Sequence, residues 1–219
     1  MLNEEQRAAV DAAKQPQPVL LSACPGSGKT RVLVHACADA LATFSPDQVM
    51  LIAFTNQTAR EMRERLRLLR DEPEDMLLGT FHHVANVLVG GGRTVLEGHQ
   101  QRETLETLGR AQDAASADLK VRLRDRMDAA MRAYGLARAE GGDNYARFVP
   151  PDHAAEVLDL LRAYDEEKAR SNVIDFDDLM VDLLRAVRSG WNHARAVLVD
   201  EYQDLNPVQL DIVRGLQAG

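Results

Sequence analysis

A short apolar segment that leads into a glycine-containing loop restricts the fold of this chain more than any other feature. Residues 19–21 (Val-Leu-Leu) precede Ala-Cys-Pro-Gly-Ser-Gly-Lys-Thr at residues 23–30. Apolar residues at helical spacing follow: Leu33, Ala36, Cys37, Ala40 and Leu41. This order predicts a strand, a loop and a helix. Because glycine lets backbone N–H groups face an anion and a helix N-terminus attracts negative charge, the segment predicts a phosphate-binding loop.

Two side chains in the loop suit this chemistry. Lys29 can reach the β- and γ-phosphates of a nucleotide, and the Thr30 hydroxyl can ligate Mg²⁺. Ala23 stands where the standard pattern has glycine. From these residues alone, the alternative is a glycine-rich turn with a solvated lysine.

A second apolar run ends in a cluster of carboxylates. Val-Leu-Val at residues 197–199 reads as a buried strand, and Asp-Glu-Tyr-Gln-Asp follows at residues 200–204. Asp200 is placed to hold Mg²⁺, Glu201 to deprotonate an attacking water, and Gln203 to sense a γ-phosphate. The alternative is a solvated acidic turn before a helix that Asn206 caps, with Pro207 in its first position. Together the loop and the acidic strand end predict one nucleoside-triphosphate site.

Six blocks resemble, in order, the N-terminal region of superfamily 1 DNA helicases of the UvrD/Rep/PcrA type. They are Leu-Asn-Glu-Glu-Gln-Arg-Ala-Ala-Val at 2–10, the phosphate loop, Ala-Phe-Thr-Asn-Gln-Thr-Ala-Arg-Glu-Met at 53–62, Gly-Thr-Phe-His at 79–82, Asp-Phe-Asp-Asp-Leu at 175–179 and Val-Asp-Glu-Tyr-Gln-Asp at 199–204. Residues 90–165 match only in position. Ala23 is the residue that this family uses at the first loop position.

The resemblance implies roles for the matched residues at the nucleotide. ATP would be bound by Gln6, Ala23, Gly26, Ser27, Gly28, Lys29, Thr30 and Arg31, with Gln6 hydrogen-bonded to the adenine. Thr30 and Asp200 would hold Mg²⁺. Glu201 would be the catalytic base, and Gln203 would couple the γ-phosphate to DNA binding. From the residues alone, Gln6 is equally a surface residue of an N-terminal helix.

The resemblance also implies a path for single-stranded DNA. It would be lined by Phe54, Thr55, Asn56, Arg60, Thr80, Phe81 and His82, since aromatic stacking holds a strand without reading its sequence. The alternative is that Phe54 and Phe81 are core residues. His82 and His83 have no set of metal ligands nearby in the sequence, so we predict no zinc site there.

The charge distribution is compatible both with a DNA-binding surface and with an ordinary solvated surface. The net charge of −8 is unusual for a DNA-binding protein, but residues 57–70 contain five arginines and two glutamates. This segment also has an apolar helical face at Ala59, Met62, Leu66 and Leu69. Its arginines either contact phosphates or form a solvated face with pairs such as Glu61–Arg65. Residues 151–182 are strongly acidic, and Asp175 with Asp178 three residues later predicts a helix cap rather than a catalytic cluster.

The order of elements predicts an α/β fold. Further strands at 49–54 and 76–80 alternate with helices, which is typical of a parallel sheet covered on both faces. A Gly-Gly-Gly hinge at 90–92 precedes a helical stretch, and a helix is expected at 152–170. The family layout is an incomplete RecA-like phosphate-loop NTPase sheet with a helical insertion subdomain. We assign residues 1–89 and 171–219 to the RecA-like ATP-binding domain and residues 90–170 to the insertion.

Length and composition agree with this assignment. The chain has 219 residues with an apolar fraction of 45%, which suits one α/β domain with an insertion. No apolar run reaches membrane-spanning length, and no signal peptide is visible at the N-terminus. Two cysteines and these features predict a reducing, cytoplasmic location.

Related helicases continue into a further strand and a second RecA-like domain, neither of which is present in these residues. We therefore expect a gap in the sheet beside the phosphate-loop strand, or a different pairing of the strands on its two sides. The consequence would be reduced stability, or a partner (the missing domain or another chain) that fills the gap. We also expect no unwinding by this chain alone, because loss of arginines from a second domain costs roughly 10³-fold or more in rate. The leading alternative is a non-catalytic nucleotide- or DNA-binding module that regulates a partner. An unrelated phosphate-loop kinase fits the blocks at 53–62 and 199–204 poorly.

Overall fold

The computed structural model describes residues 2–70, 75–116, 119, 121–191 and 193–217. The helices are α1 (Glu4–Ala12), α2 (Lys29–Ala40), α3 (Asn56–Arg67), α4 (Phe81–Val89), α5 (Gly98–Ala115), α6 (Leu123–Ala139), α7 (Ala154–Ser171), α8 (Phe176–Arg188) and α9 (Pro207–Gln217). The strands are β1 (Val49–Ala53), β2 (Leu77–Thr80), β3 (Thr94–Leu96), β4 (Val173–Asp175) and β5 (Ala196–Val199). Short 3₁₀ turns lie at Pro46–Gln48, Tyr145–Phe148, Pro151–His153 and Tyr202–Asp204. The chain is thus a mixed α/β protein with a small parallel sheet and many helices.

The chain forms two compact units. The sheet unit comprises Met1–Val84, Val187–Leu205 and Ile212–Gly219, and the helix-rich unit comprises Ala85–Ala186 and Asn206–Asp211. These bounds differ from those expected from the sequence, and the division into a RecA-like domain and an insertion stays a prediction.

A parallel sheet of three strands organises the sheet unit, in the order β2-β1-β5. All five residues of β1 are buried, as a continuous apolar sequence in a central parallel strand requires. The predicted strands at 49–54 and 76–80 are confirmed as β1 and β2. All four residues of β5 are partly exposed, and among the described residues no strand pairs with its outer edge.

Helices α2 and α3 supply the apolar side chains that cover this sheet. Their core cluster contains Val34, Cys37, Leu41, Val49, Leu51, Ala53, Ala59, Met62, Leu66, Met76 and Leu78. Thr55 begins α3 by accepting a hydrogen bond from the Thr58 backbone N–H at 3.1 Å. The predicted apolar face of this helix is correct at Ala59, Met62 and Leu66 but wrong at Leu69, which lies beyond the last helical residue and is exposed.

The strand predicted at residues 19–21 is wrong. Residues 18–24 have no regular secondary structure, and Val19 and Leu20 are 50% and 74% exposed. The segment pairs with no described strand, so its backbone makes no hydrogen bonds to a neighbouring strand. Without such a neighbour, Val19 and Leu20 stay exposed. Pro18 at its start also lacks a backbone N–H for a ladder bond.

The helix-rich unit packs α5, α6 and α7 around aromatic and aliphatic side chains. Its core cluster contains Leu105, Met127, Ala130, Ala133, Tyr134, Ala137, Tyr145, Val149, Val157, Leu160, Leu161 and Tyr164. Gly109 lets α5 and α6 approach, because a Cβ there would lie 2.2 Å from Leu123 Cδ1. The fully buried Arg126 donates to the carbonyls of Gly109 and Val121 and to Asp113 at 2.7 Å.

A buried ammonium group lies at the centre of a polar network in this unit. Lys168 Nζ donates to Tyr134 Oη at 2.5 Å and to Asp178 Oδ2 at 2.7 Å. It also lies 3.1 Å from Asp175 Oδ2 and 3.3 Å from Asp165 Oδ1. Tyr134 donates in turn to Asp175 at 2.6 Å, and burial raises the pKa of Tyr134, so the hydroxyl keeps its proton. The network joins α6 and α7 to the start of α8.

The acidic cluster at residues 175–178 forms the predicted helix cap. The Asp178 backbone N–H donates to Asp175 Oδ1 at 2.9 Å, and the Asp175 N–H donates to Asp178 Oδ2 at 3.1 Å. Each carboxylate therefore satisfies a backbone donor at the start of α8 and also neutralises Lys168. The cap predicted for α9 is confirmed as well, with Gln209 N–H bonded to Asn206 Oδ1 at 3.0 Å.

Removal of Lys168 tests the importance of this network. We expect Lys168→Ala to lower the free energy of unfolding by about 3–5 kcal/mol, because buried carboxylates would lose their counter-charge. Arg162→Ala is the control on the same helix, since its pair with Asp159 is exposed and worth less than about 1 kcal/mol. Urea titration followed by circular dichroism measures both. Equal losses in the two variants would contradict a central role for Lys168.

Candidate nucleotide site

The predicted phosphate loop has the left-handed backbone that glycine favours. Gly26 and Gly28 both have left-handed φ angles, +80° and +92°. The Ser27 N–H donates to the Cys24 carbonyl at 3.2 Å, which closes the turn. Helix α2 follows at once, and Gly28 precedes it without a side-chain cap. The first N–H groups of α2 therefore lie open at the positive end of the helix dipole, where an anion is stabilised.

Lys29 lies at the start of α2 and faces back over the loop. Its Nζ donates to the Ala23 carbonyl at 2.9 Å, and its charge partly offsets the net rise in the pKa of Asp200. Helix α2 also contacts β5, the strand that leads into Asp200, and a nucleotide site shared by the two residues stays a prediction. Thr30 is half-buried in the next position of the helix, and Arg31 is exposed.

Gln6 connects α1 to the loop. Its Nε2 donates to the Ser27 carbonyl at 2.8 Å, and its Oε1 accepts from the Asn3 backbone N–H at 3.1 Å. The Asn3 side chain completes the cap by accepting from the Gln6 N–H at 2.8 Å. Gln6 is thus not merely a surface residue of the first helix. The role of Asn3 was not predicted, although the spacing Asn-x-x-Gln is a capping-box signal.

Asp200 follows β5 and is 5% exposed. Its backbone N–H donates to the Ile52 carbonyl at 2.9 Å, which extends the pairing with β1 by one bond. Burial raises the pKa of Asp200 and so does the charge of Glu201, whereas a backbone hydrogen bond from Glu201 and the charge of Lys29 lower it. The net direction is upward, so the carboxylate lacks full compensation for its charge.

Glu201 has an unusual backbone for its residue type. Its φ and ψ are 47° and 48°, in the left-handed region that a residue with a Cβ rarely adopts. The Gln203 side-chain amide donates to Glu201 Oε2 at 2.5 Å. Strained residues of this kind concentrate at functional sites. The hydrogen bond between Gln203 and Glu201 also puts the proposed γ-phosphate sensor in direct contact with the proposed base.

The parallel sheet brings three segments to the same edge. Ala53 of β1 is in register with Thr80 of β2, and Ile52 of β1 with Val199 of β5. Because the strands are parallel, residues 54–56, 81–82 and 200–201 all follow carboxyl ends at one edge of the sheet. This is the edge at which open α/β sheets bind ligands.

The two aromatic side chains at this edge differ in exposure. Phe54 is 55% exposed and offers a free face, whereas Phe81 is 5% exposed and packs in the core. Phe81 is therefore a core residue in this structure, which was the alternative to base stacking. Stacking of a base on its ring stays a prediction without support. Burial lowers the pKa of His82, which favours a neutral imidazole.

Several arginines of residues 57–70 bind backbone carbonyls. Arg63 Nη2 donates to the Leu78 carbonyl at 2.9 Å, and Arg70 Nη1 to the Ala38 carbonyl at 2.8 Å. Arg65 lies 3.7 Å from Glu61, a pair that belongs to the alternative of a solvated helix face. Arg60 makes a longer bond of 3.4 Å to the Asn56 carbonyl. Part of the basic character of residues 57–70 is thus used within the fold.

Two further findings come from the described residues. No group of three or more His, Cys, Asp or Glu side chains there could hold a metal ion. None of the helices there combines the length and the apolar character needed to cross a membrane.

Alanine at the loop glycines tests the contact with Gln6. A Cβ on Gly28 would lie 2.7 Å from Gln6 Nε2, whereas one on Gly26 would meet nothing within 4 Å. Both positions have left-handed φ, which costs alanine about 1–2 kcal/mol. We expect Gly28→Ala to lower the melting temperature more than Gly26→Ala, measured by differential scanning calorimetry. Equal shifts would mean that the contact adds nothing to the backbone strain.

Neutralisation of Asp200 tests the electrostatics of the strand end. Because its pKa is raised, the fold favours the protonated carboxyl, and this stability is lost as the pH rises through that pKa. We expect Asp200→Asn to raise the free energy of unfolding at pH 7 by about 0.5–1 kcal/mol. Urea titrations at pH 7 and at acidic pH should show the gain shrink as Asp200 of the wild type protonates. A loss of stability at pH 7 would contradict the assigned burial cost.

Comparison with known proteins agrees with the geometry. Residues 2–219 match the model of the UvrD/REP helicase N-terminal domain. An ATP-dependent DNA helicase PcrA from Staphylococcus aureus is 27% identical over 97% of this chain and 31% of its own length. The PcrA of Leuconostoc citreum is 30% identical over 97% of this chain and 30% of its own length. The chain therefore spans about a third of the curated relatives that it matches, and it belongs to the UvrD/REP helicase N-terminal domain family.

Proposed function

We propose that this chain is the ATP-binding and single-stranded-DNA-binding portion of an ATP-dependent DNA helicase. In the intact enzyme, ATP hydrolysis would drive translocation and unwinding. The observation that carries the proposal is that helix α2, which begins at Lys29, packs against β5, which leads directly into the buried Asp200. Together the two residues would supply a cation for phosphates and a carboxylate for a metal.

The donor set at the site fits Mg²⁺. Thr30 offers a hydroxyl and Asp200 a carboxylate, and Mg²⁺ is usually held by one or two carboxylates together with substrate phosphates. The raised pKa of Asp200 marks a carboxylate that a cation would stabilise. When bound, Mg²⁺ would offset the charge that develops on the phosphate oxygens during transfer.

The other site residues would divide the remaining work. The loop N–H groups from Gly26 to Lys29 and the Lys29 ammonium would hold the phosphates. Glu201 would orient the attacking water and accept its proton at the carboxylate. Gln203, now bonded to Glu201, would change partners when a γ-phosphate is present and so report the nucleotide state to the DNA path. Ala23 positions Lys29 through its carbonyl, and Arg31 lies behind the loop.

Single-stranded DNA would lie along the edge formed by the segments after β1 and β2. Phe54 has the exposed ring that base stacking needs. Thr55, Asn56, Arg60, Thr80 and His82 would contact the backbone of the strand beside it. Phe81 would support this surface from the core rather than stack on a base.

The fold that supports this function would be an incomplete RecA-like sheet with a helical insertion. The exposed residues 19–20 and the open edge of β5 would then be covered by a second RecA-like domain or by a partner chain. The same two features favour one other function, a non-catalytic nucleotide- or DNA-binding module that regulates a partner. A phosphate loop without a flanking strand would hold Lys29 less firmly. Catalysis needs more exact positioning of this lysine than nucleotide binding does.

ATP binding and turnover, with and without single-stranded DNA, test the proposal. We expect Lys29→Ala to abolish ATP binding measured by isothermal titration calorimetry, because the phosphates lose their ammonium partner. Lys14→Ala is the matched control, since Lys14 pairs with Asp11 and Asp39 on the surface, outside the loop. DNA-stimulated turnover that requires Lys29 would support the helicase role. Binding without turnover would fit both a helicase portion whose catalysis depends on a second domain and the regulatory module, and no ATP binding by the wild type would contradict both.

Loss of the Phe54 ring tests the DNA path. We expect Phe54→Ala to weaken binding of a single-stranded oligonucleotide by about 5- to 150-fold, the equivalent of one stacked base. Leu68→Ala is the control, because Leu68 is equally apolar, more exposed and outside the proposed path. Fluorescence anisotropy with a labelled oligonucleotide measures both. Equal weakening by the two substitutions would place the DNA elsewhere.

A further inference from the structure

We propose that a cavity in the helix-rich unit binds a small phosphorylated ligand, whose phosphate group is held by Arg93 and Arg185. The cavity has a volume of about 310 Å³, at the lower end of the range for small-molecule pockets. Its lining includes four cationic side chains: Arg93, Arg138, Lys168 and Arg185. They come from the segment before β3 and from α6, α7 and α8, so the fold gathers them from four parts of the sequence. The cavity shares no residue with the phosphate loop, and the inference does not depend on the proposed function.

Two of these cations share a single carboxylate. Asp182 Oδ2 accepts from Arg93 Nη2 at 2.9 Å, and Asp182 Oδ1 accepts from Arg185 Nη1 at 3.2 Å. No other carboxylate of the described residues lies within 4.0 Å of either guanidinium. This end of the cavity therefore has two positive charges for one negative charge, which favours an anion as ligand.

The other two carboxylates of the lining have no free oxygen. Asp178 accepts from Arg138 at Oδ1 and from Lys168 at Oδ2, at 3.2 and 2.7 Å. Asp165 Oδ1 lies 3.3 Å from Lys168 Nζ, and its Oδ2 accepts from Tyr145 at 2.8 Å. Since both oxygens of Asp182 are bonded as well, a cationic ligand would find no carboxylate oxygen without a partner.

The arginines, in contrast, keep hydrogen-bond donors in reserve. Arg93 uses Nε and Nη2 for two backbone carbonyls and for Asp182, so Nη1 has no partner in the described part of the chain. Arg185 bonds there through Nη1 alone. Lys168 has no such reserve, because its three hydrogens are used in the polar network. A surplus of guanidinium donors matches the acceptor oxygens of a phosphate group.

Calorimetric titration with inorganic phosphate and with ribose 5-phosphate tests the proposal. All titrations use the full chain with Lys29→Ala, which removes the ammonium of the phosphate loop. Arg185→Gln removes one guanidinium of the cavity, and Asp182→Asn removes the shared carboxylate. Arg162→Gln is the matched control, because Arg162 and Arg185 are similarly exposed and each pairs with an aspartate three residues earlier.

We expect ribose 5-phosphate to bind more tightly than inorganic phosphate, because the cavity has room for more than a phosphate group. Arg185→Gln should weaken its binding about 10-fold, the size of one hydrogen bond to a charged group. Asp182→Asn should tighten its binding, because the carboxylate that competes for both guanidiniums is gone. A purely structural ion pair predicts no gain in either variant, so the opposite signs identify a ligand site.

Four results would overturn the proposal. They are no binding of either probe, binding of inorganic phosphate alone, equal weakening by Arg185→Gln and Arg162→Gln, and weaker binding in Asp182→Asn when its free energy of unfolding is unchanged in urea. A labelled single-stranded oligonucleotide is titrated in parallel by fluorescence anisotropy. If Arg185→Gln weakens its binding but not that of ribose 5-phosphate, the arginines serve nucleic acid, and the proposal is likewise wrong. None of these results bears on ATP binding at the phosphate loop.

Discussion

The parallel pairing of β1 with both β2 and β5 is the interaction on which the candidate site depends. β1 is buried along its whole length, so its position is held by the core beneath α2 and α3. Its register with the two neighbours brings the segments after Ala53, Thr80 and Val199 to one edge. The bond from the Asp200 N–H to the Ile52 carbonyl extends this order into the acidic segment itself. Segments about 150 residues apart in sequence therefore meet at one edge of the sheet through backbone pairing and through the core that holds β1.

The charges at this edge are arranged at a cost in stability. Asp200 is buried beside Glu201, and both the burial and the like charge disfavour its ionised form. Glu201 adds a left-handed backbone conformation. Only Lys29 acts in the favourable direction through its charge. The helix-rich unit shows the contrasting arrangement, since Lys168 has carboxylates on several sides and Asp175 and Asp178 also cap α8. Uncompensated charge at the end of β5 and neutralised charge around Lys168 are the difference expected between the proposed binding site and a structural network.

Local chemistry explains which features could be predicted from the sequence. The glycine conformations at Gly26 and Gly28, the strands β1 and β2, the caps at Asp175 and Asn206 and the apolar face of α3 all follow from short-range patterns. The strand at 19–21 failed because apolar residues form a strand only where a neighbour offers ladder bonds, and pairing is a property of the whole sheet. Phe81 could not be distinguished from Phe54 by sequence, because both follow a strand and only packing decides which ring is exposed. The link from Gln6 to Ser27 was equally out of reach, since it depends on how α1 packs against the loop.

Mg²⁺-dependent binding of ATP tests the central claim, that the phosphate loop and the end of β5 form one site. The affinity for ATP should be measured by calorimetry with Mg²⁺ and with a chelator, in the wild type and in Asp200→Asn. A single site predicts that Mg²⁺ tightens ATP binding in the wild type and that this gain is lost in Asp200→Asn, although the loop and Lys29 are intact. An equal gain from Mg²⁺ in both proteins would show that Asp200 does not face the bound nucleotide, and would contradict the account.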